Sequence, residues 1–433
     1  MTAEIAILNK NAVALAADSA VTLRNPQTQK VYNTANKLFM LSKYHPVGIM
    51  VHGPAEIMGV PWETVIKTYR QQLETTNFNR LIEFAENFVS FLEGNELLFP
   101  ERLRLATFAG LCEWPLGQIK NAIDARVQAQ IATLGEIDDD GINRITSEIV
   151  DEHLQNWRRY DRLSCFPEGF EEDFLRDSGA FLNEKLDAIF MELPIDSIRP
   201  SLLEICALRA TKEWWSLGSG GIVIAGFGKD DVFPVLHSYT VETIVRNKLK
   251  QMRRIAQSND MNESNTATII PFAQAEIVYR FIQGIDPEYH QEFDNFIRDL
   301  LITEYPETLL RQFGERLSED QRRDVEAELI RLGRAVHSNF GDKWSDWQFQ
   351  KFVSPVLDIV ADLPKDDLAA MAESLVNLTS FKRRITAEVE TVGGPIDVAV
   401  ISKGDGFVWI KRKHYFNKDL NPAFFSNYYR RYE

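Results

Sequence analysis

The sequence predicts an α+β protein in which two antiparallel sheets lie between outer helices, in four layers. Two patterns in the 433-residue chain support this prediction. Short apolar runs that are typical of strands occur near the start, in the middle and near the end, and long amphipathic segments separate them. We assign one sheet to the N-terminal and C-terminal hairpins and the other sheet largely to the middle hairpin.

The first 52 residues contain four strand-like runs, at 3–8, 12–17, 37–42 and 47–52, which predict two hairpins. The first two runs are almost wholly apolar, which is typical of strands covered on both faces. A helix is expected to begin at Pro54, because proline suits a first helical turn. Its buried stripe would include Val65, Ile66 and Tyr69.

Strand patterns are absent from 76–215, which predicts a large helical insertion, and they return as a hairpin at 221–227 and 232–239. Helical patterns resume at 272, with an additional helical region at 285–385. A final hairpin is expected at 396–402 and 407–411. Since no repeat or proline-rich linker divides the chain, we interpret residues 1–433 as one elaborated domain.

The formal net charge of -15, from 63 acidic and 48 basic residues, argues against general binding to nucleic acid. The three cysteines, Cys112, Cys165 and Cys206, are far apart and form no CxxC pair, so neither a disulfide framework nor a thiolate zinc site is predicted. No stretch is typical of a secretory signal or a membrane span. We therefore expect a cytoplasmic protein with no membrane partner, no metal and no cofactor.

Thr2 becomes a candidate nucleophile if Met1 is removed. When the first hairpin turns about Lys10, paired residue numbers sum to about 20, and Thr2 then faces Asp18. A threonine hydroxyl needs a nearby base, and the freed α-amine, whose ordinary pKa is roughly 7.7, can act as that base. Lys37 opens the third strand-like run, and its charge could hold Asp18 ionised and stabilise a developing alkoxide.

The end of the fourth strand-like run is the candidate oxyanion hole. Backbone N–H groups of His52 and Gly53 are expected to form it, because the predicted helix begins directly after them. Gly53 permits a close approach of the backbone at this point. A structural role is favoured over a catalytic one for the His52 side chain.

Four segments resemble the opening of proteasome β-subunits and of their bacterial ring-protease relatives: TAEIAIL, AVALAADSAVTL, NKLFML and VGIMVHGPAE. These proteins are N-terminal nucleophile (Ntn) hydrolases. The family pattern has a threonine at the mature N-terminus, an aspartate about sixteen positions later in an AADS context, and then a lysine before a hydrophobic strand. Thr2, Asp18 and Lys37 match that pattern, and the His52–Gly53 step corresponds to the family's glycine-rich turn. Two later segments, GGIVIAGFGKDDVFPVLHSY and GGPIDVAVISKGDGFVWI, resemble the family's central and C-terminal hairpins.

The resemblance implies a four-layer αββα Ntn-hydrolase sandwich with helical insertions. It also implies a threonine peptidase that forms an acyl-enzyme ester and needs no cofactor. The substrate would be a peptide or an unfolded protein. The partners would be further copies of the chain, as in a ring, and an ATPase that unfolds the substrate.

Several positions depart from the family pattern. Ala20 stands where a basic residue is usual, and residues 271–274 replace a serine- and glycine-rich turn. Glu390 and Thr391 align with an aspartate and serine that support catalysis in the family, and Ser19 is a further supporting candidate. Two alternative functions stay open: an Ntn amidohydrolase that acts on a small molecule, and a non-catalytic proteasome-like scaffold.

Overall fold

The computed structural model describes residues 3–25, 28–191, 193–386 and 393–430. It is a mixed α+β protein with two large antiparallel sheets, which confirms this part of the predicted fold class. The chain divides into two compact units. The first comprises residues 1–34, 261–400 and 408–433, and the second comprises residues 35–260 and 401–407.

Fifteen strands are found in the described ranges. They are β1 Ala3–Asn9, β2 Ala12–Ala17, β3 Val21–Asn25, β4 Thr28–Tyr32, β5 Leu38–Met40, β6 Val47–His52, β7 Glu56–Ile57, β8 Val60–Pro61, β9 Gly220–Gly226, β10 Val235–Val245, β11 Lys248–Arg253, β12 Asn259–Asp260, β13 Ala267–Ala273, β14 Asp397–Ser402 and β15 Gly406–Lys411.

The α-helices lie mainly between β8 and β9 and between β13 and β14. They are α1 Trp62–Leu73, α2 Leu81–Gly94, α3 Glu101–Leu134, α4 Asp139–Arg159, α5 Phe170–Phe190, α6 Arg199–Thr211, α7 Glu276–Gln283, α8 Pro287–Asp299, α9 Tyr305–Phe313, α10 Glu319–Gln348, α11 Ser354–Asp362, α12 Lys365–Ile385 and α13 Pro422–Arg430. Among these helices, none combines the length and the apolar character that a bilayer crossing requires.

The first large sheet has the strand order β13-β1-β2-β14-β15. Every residue of β1 and β2 is buried, as their apolar sequences predict. Ala3, Ile5 and Ile7 pack in one apolar cluster with residues of α12, including Leu375. Because strand residues alternate between the two faces, Glu4 lies on the face of the sheet opposite to α12.

The second large sheet has the order β11-β10-β9-β6-β5, and β12 pairs with β10. The predicted hairpins β5–β6 and β9–β10 are both present. However, β6 pairs with β9, so the second N-terminal hairpin belongs to the sheet of the middle hairpin. The assignment of both N-terminal hairpins to one sheet is therefore wrong. The reason is packing, because Ile49 and Val51 of β6 share an apolar cluster with Ile222 and Ile224 of β9.

The first helix starts later than expected. The strands β7 and β8 follow Pro54, and Met58 and Gly59 form the turn between them with positive φ angles of 52° and 79°. Helix α1 begins only at Trp62, directly after a second proline. The expected buried stripe is nevertheless present within α1, since Val65, Ile66 and Tyr69 are all buried.

The described part of 76–215 holds α2 to α6 and, outside them, only an isolated bridge between Arg162 and Lys212. Seven strands were not predicted: β3, β4, β7, β8, β11, β12 and β13. The expected helix start at 272 is wrong, since β13 continues to Ala273 and α7 begins at Glu276. Pairing with β1 along its whole length gives β13 the backbone partners that a helix would have supplied internally.

A buried ion cluster joins α6 to β10 and β11. Arg209 donates two hydrogen bonds to Glu242, at 2.9 and 2.7 Å, and the Nζ of Lys250 lies 3.4 Å from the same carboxylate. Lys250 also donates to two backbone carbonyl oxygens, and the N–H of Ser216 donates to Glu242. These contacts anchor the segment that runs from α6 into β9.

Candidate active site

Asp18 is buried at the end of β2, where its carboxylate accepts three backbone hydrogen bonds. The donors are the N–H groups of Ala3 at 3.2 Å, Ala20 at 3.3 Å and Gly393 at 3.0 Å. The N–H of Asp18 in turn donates to the carbonyl oxygen of Ala3, at 3.1 Å. The carboxylate therefore ties the start of β1 to the residues that precede β14.

Ser19, the supporting candidate, is bonded to the same preceding segment. Its N–H donates to the carbonyl oxygen of Gly393 at 3.1 Å, and its hydroxyl donates to the carbonyl oxygen of Pro395. The Ser19 hydroxyl is thus used in a structural bond. The other supporting candidates, Glu390 and Thr391, lie outside the described residues, as does Thr2.

The register of the first hairpin differs by one residue from the predicted register. Glu4 pairs with Ala17 and Ile5 pairs with Ala16, so paired residue numbers sum to 21. Asp18 is therefore level with Ala3, the residue that follows the proposed nucleophile. The predicted register is wrong by one residue. The Oδ1 of Asn9 accepts hydrogen bonds from the N–H groups of Asn11 and Ala12, and these bonds set the length of the turn.

Lys37 belongs to the second unit, whereas Asp18 and Ser19 belong to the first. It directly precedes β5, rather than opening the strand, and only 4% of its surface is exposed. Its carbonyl oxygen accepts the N–H of Val51 at 2.8 Å, which fixes it beside the end of β6. A lysine that is this strongly buried must have a specific environment for its charge.

His52 ends β6 and lies beside Lys37. Burial, together with the positive charge of Lys37, lowers the pKa of His52 from 6.5 to about 4. His52 pairs with Gly221 of β9, and a β-carbon at position 221 would be only 1.9 Å from its Nε2. The imidazole is therefore neutral at neutral pH and occupies space that only a glycine at 221 leaves open.

The backbone of Gly53 is held with similar precision. Gly53 has a φ of +86°, and a β-carbon there would be 3.0 Å from the α-carbon of Gly220. The expected helix at Pro54 is absent, since α1 begins at Trp62. The N–H groups of His52 and Gly53 consequently gain no field from a helix N-terminus, and this part of the oxyanion-hole argument is wrong. The candidate role of these two N–H groups as oxyanion donors therefore depends only on the fixed position of the backbone.

Residues 271–274 have an unusual backbone at the end of β13. Ala273 ends β13 with a φ of 61°, a left-handed conformation that is uncommon for residues other than glycine. The next residue, Gln274, is buried, and its Oε1 accepts a hydrogen bond of 2.7 Å from Nε of Arg383 on α12. A neutral amide held by an arginine thus stands in this turn.

Glu4 is a candidate that the sequence reasoning missed. Apart from Glu4 and the terminal Asn9, strand β1 is apolar, and only 2% of the surface of Glu4 is exposed. The signal was available, because a single acidic residue in a strand predicted to be covered on both faces must be buried.

No cluster of three or more His, Cys, Asp or Glu side chains suited to a metal ion occurs within residues 3–25, 28–191, 193–386 and 393–430. Comparison of the chain with models of protein families and with curated proteins gives no significant match.

Proposed function

We propose that the chain is a proteasome-like threonine peptidase that hydrolyses peptide bonds, with Thr2 as nucleophile after removal of Met1. The observation that carries the proposal is the contact between Asp18 and Ala3. The buried carboxylate accepts the N–H of the residue that directly follows Thr2, at 3.2 Å. Asp18 therefore borders the part of the chain to which the nucleophile is covalently joined.

The reaction assigns one role to each candidate. The α-amine of Thr2 accepts the proton of its own hydroxyl while the hydroxyl oxygen attacks the carbonyl carbon of the substrate. The protonated amine then gives that proton to the leaving amine, and an acyl-enzyme ester is formed. Water attacks the ester with the same amine as base, the carboxylic acid product departs, and the proton returns to the Thr2 oxygen.

Lys37 and the His52–Gly53 backbone are proposed to stabilise negative charge during these steps. A buried cation such as Lys37 stabilises a developing alkoxide more strongly than an exposed one, because the surrounding dielectric is low. The close packing of Gly53 against Gly220 supports the proposed oxyanion hole, since a backbone donor must be fixed before the reaction starts.

The proposal includes the assembly that the resemblance implies. The two sheets with their outer helices would form the four-layer αββα sandwich, and several copies would form a homo-oligomer such as a ring. An ATPase would supply unfolded protein as substrate. The 76–215 insertion and the 285–385 region are proposed additions to this catalytic domain.

A specific observation favours one alternative, a non-catalytic scaffold. Gln274 and its bond to Arg383 stand where the family has a serine- and glycine-rich turn that supports the nucleophile. The Gln274 side chain is an amide whose oxygen already accepts a hydrogen bond from Arg383, so it cannot supply the hydroxyl group that the family's serine provides. A non-catalytic scaffold does not need a hydroxyl group at this position, so the bond between Gln274 and Arg383 is compatible with that role.

Hydrolysis of a chemically unfolded protein, and of short fluorogenic peptides, tests the proposed function. We expect turnover by the wild type and its loss in Lys37→Met. The matched control is Lys67→Met, which removes a lysine from an exposed pair with Glu63 on α1. Equal turnover by the wild type and Lys37→Met would contradict the assigned role. Hydrolysis of small amides without any cleavage of peptides would favour the small-molecule amidohydrolase.

A further inference from the structure

A cavity of about 270 Å³ lies within the second unit of the chain. Its wall is formed by the start of α3, the middle of α5, residue 96 and the turn between β10 and β11, all of which belong to that unit. A water molecule takes up roughly 30 Å³ of the liquid. The cavity is therefore large enough for a small organic molecule.

The two arginines of the cavity wall are already engaged by the protein. Arg104 is buried and donates to three backbone carbonyl oxygens at 2.6 to 2.9 Å. These oxygens belong to Glu93, Phe99 and Arg246. The guanidinium of Arg246 forms an ion pair with Asp177 on α5, at 2.5 Å. Both guanidinium groups are thus directed at acceptors of the chain itself.

Two carboxylates of the wall are not engaged in this way. Glu96 lies between α2 and α3, and Glu101 lies in the first turn of α3. Neither side chain makes a hydrogen bond or an ion pair with a residue of the described ranges. Together with Asp177, they give the wall three carboxylates against two guanidinium groups. The cavity therefore has an excess of negative charge, which favours a cationic ligand.

Ser178 interrupts the apolar stripe that α5 buries. The other buried residues of this helix are Phe170, Phe174, Leu182, Leu186 and Phe190. Only 3% of the surface of Ser178 is exposed, and the residue lines the cavity. A hydroxyl within a helix can bond the carbonyl oxygen four residues earlier, as Thr146 does with Ile142 at 2.7 Å. Ser178 has neither this bond nor another hydrogen-bond partner in the described part of the chain.

A buried hydroxyl without a partner calls for a ligand, because buried polar side chains are normally hydrogen-bonded. We propose that the cavity binds a primary ammonium group carried on a short alkyl chain. Such a group has three N–H donors. The wall offers three acceptor groups that the described residues leave unused: the carboxylates of Glu96 and Glu101 and the hydroxyl oxygen of Ser178. Leu105 lines the same cavity and offers an apolar surface to the alkyl chain.

The donor set suits an organic cation better than a metal ion. No three His, Cys, Asp or Glu side chains in the described ranges are placed to hold a metal together. A primary ammonium group occurs both on free alkylamines and on the lysine side chains of peptides. The inference does not depend on the proposed peptidase activity, because none of the residues that line the cavity is assigned a role in that reaction.

Isothermal titration calorimetry of the full chain tests the inference with two amines, n-butylamine and Nα-acetyl-lysine amide. We expect saturable binding with one site per chain. Binding of n-butylamine would show that a free alkylamine is sufficient, and binding of the lysine compound alone would identify a peptide as the source. Tetramethylammonium has the same charge but no N–H donor, so it should bind at least about tenfold more weakly than the amine that binds.

Two variants locate the bound amine. Ser178→Ala removes one acceptor and should weaken binding about fivefold, whereas Glu101→Gln removes a charge and should weaken it more than about tenfold. Glu113→Gln is the matched control on α3, because Glu113 lies outside the cavity in an exposed pair with Lys185. Ser374→Ala is the control for the hydroxyl, since Ser374 bonds a carbonyl oxygen of its own helix. Both controls should bind as the wild type does.

Three results would overturn the inference. The first is an affinity that neither Ser178→Ala nor Glu101→Gln changes, which would place the amine elsewhere. The second is equal affinity for tetramethylammonium and the amines, and the third is the absence of saturable binding of both amines at millimolar concentration. Glu96→Gln takes the place of Glu101→Gln if that variant does not fold, which circular dichroism would detect.

Discussion

The imidazole of His52 lies in the space that a side chain at position 221 would fill. A β-carbon on Gly221 would be 1.9 Å from Nε2 and 2.2 Å from Cε1 of that ring. The two residues are direct partners in the ladder between β6 and β9. The end of β6, which carries the candidate oxyanion donors, is thus shaped by a glycine about 170 positions later in the chain.

Gly221→Ala is predicted to displace His52 and to destabilise the protein. Because the added methyl group overlaps the ring, either the ring or the strand must move, and we expect a loss of about 1–3 kcal/mol in the free energy of unfolding. Urea denaturation measures this loss. Gly117→Ala is the matched control, since a β-carbon on that glycine of α3 meets nothing within 4 Å. Equal stability of the two variants would contradict the described packing.

The titration of His52 gives a second prediction. Burial and the charge of Lys37 lower its pKa to about 4, so the C–H signals of His52 should titrate near that value by NMR. Lys37→Met should raise the pKa only in part, because burial is the larger cause. A His52 that titrates near 6.5 in the wild type would contradict the account.

The lowered pKa of His52 also makes the stability of the protein depend on pH. A histidine whose pKa is lower in the folded state than in the unfolded state binds fewer protons when folded. Its contribution to stability is fully present above pH 6.5 and is lost as the pH falls toward about 4. His52→Gln should therefore reduce the slope of unfolding free energy against pH within this window.

The buried cluster of Arg209, Glu242 and Lys250 predicts a large cost for one neutral substitution. Glu242→Gln leaves two buried cations without their anion, and we expect a loss of about 3–5 kcal/mol in unfolding free energy. Glu204→Gln is the control, because Glu204 pairs with Arg158 at the surface and should contribute less than about 1 kcal/mol. Chemical denaturation of both variants would show whether burial decides the difference. Losses of unfolding free energy of similar size in Glu242→Gln and Glu204→Gln would contradict the claim that burial makes the difference.

Acid should weaken this cluster. Burial raises the pKa of Glu242, but hydrogen bonds from Arg209 and the charges of Arg209 and Lys250 outweigh it and lower the pKa to about 2. The stabilising contribution of Glu242 is therefore present above pH 4.5 and is lost as the pH falls toward 2.

The strands that the sequence predicted well are those whose pattern is decided locally. The runs of β1 and β2 are apolar at nearly every position, and β6 ends at His52 as expected. In contrast, β13 contains Pro271 and lies directly before helix α7, so its sequence resembles a segment that leads into a helix. Its identity as a strand depends on pairing with β1, which lies about 260 positions earlier.

The candidate site was predictable only in part for a similar reason. The AADS motif identifies Asp18 from the sequence alone. It cannot predict that Gly393 donates to the Asp18 carboxylate, because only the folded chain brings these two distant residues together. The early start assigned to α1 was wrong because Pro54 suits both a helix start and a strand entry. Met58 and Gly59 then decide the outcome by turning the chain. Interactions such as that of Arg209 with Glu242 have no local signature at all.

Asp18→Asn is predicted to disconnect the start of β1. Asparagine presents an NH₂ group in place of one carboxylate oxygen, so at least one of the N–H groups of Ala3, Ala20 and Gly393 loses its acceptor. We expect a loss of about 1–3 kcal/mol and faster hydrogen exchange at Ala3 and Gly393. Asp405→Asn, in the turn between β14 and β15, is the control. Unchanged exchange at both amides would contradict the assigned bonds.

The central claim is that Thr2 is a nucleophile, and covalent labelling with a threonine-directed epoxyketone tests it most directly. The protein is treated with the reagent, its intact mass is measured, and the modified peptide is mapped. The account predicts loss of Met1 and one adduct at Thr2 in the wild type, with no adduct in Thr2→Ala. Equal labelling of Thr2→Ala, an unlabelled wild type, or an active protein that retains Met1 would contradict it.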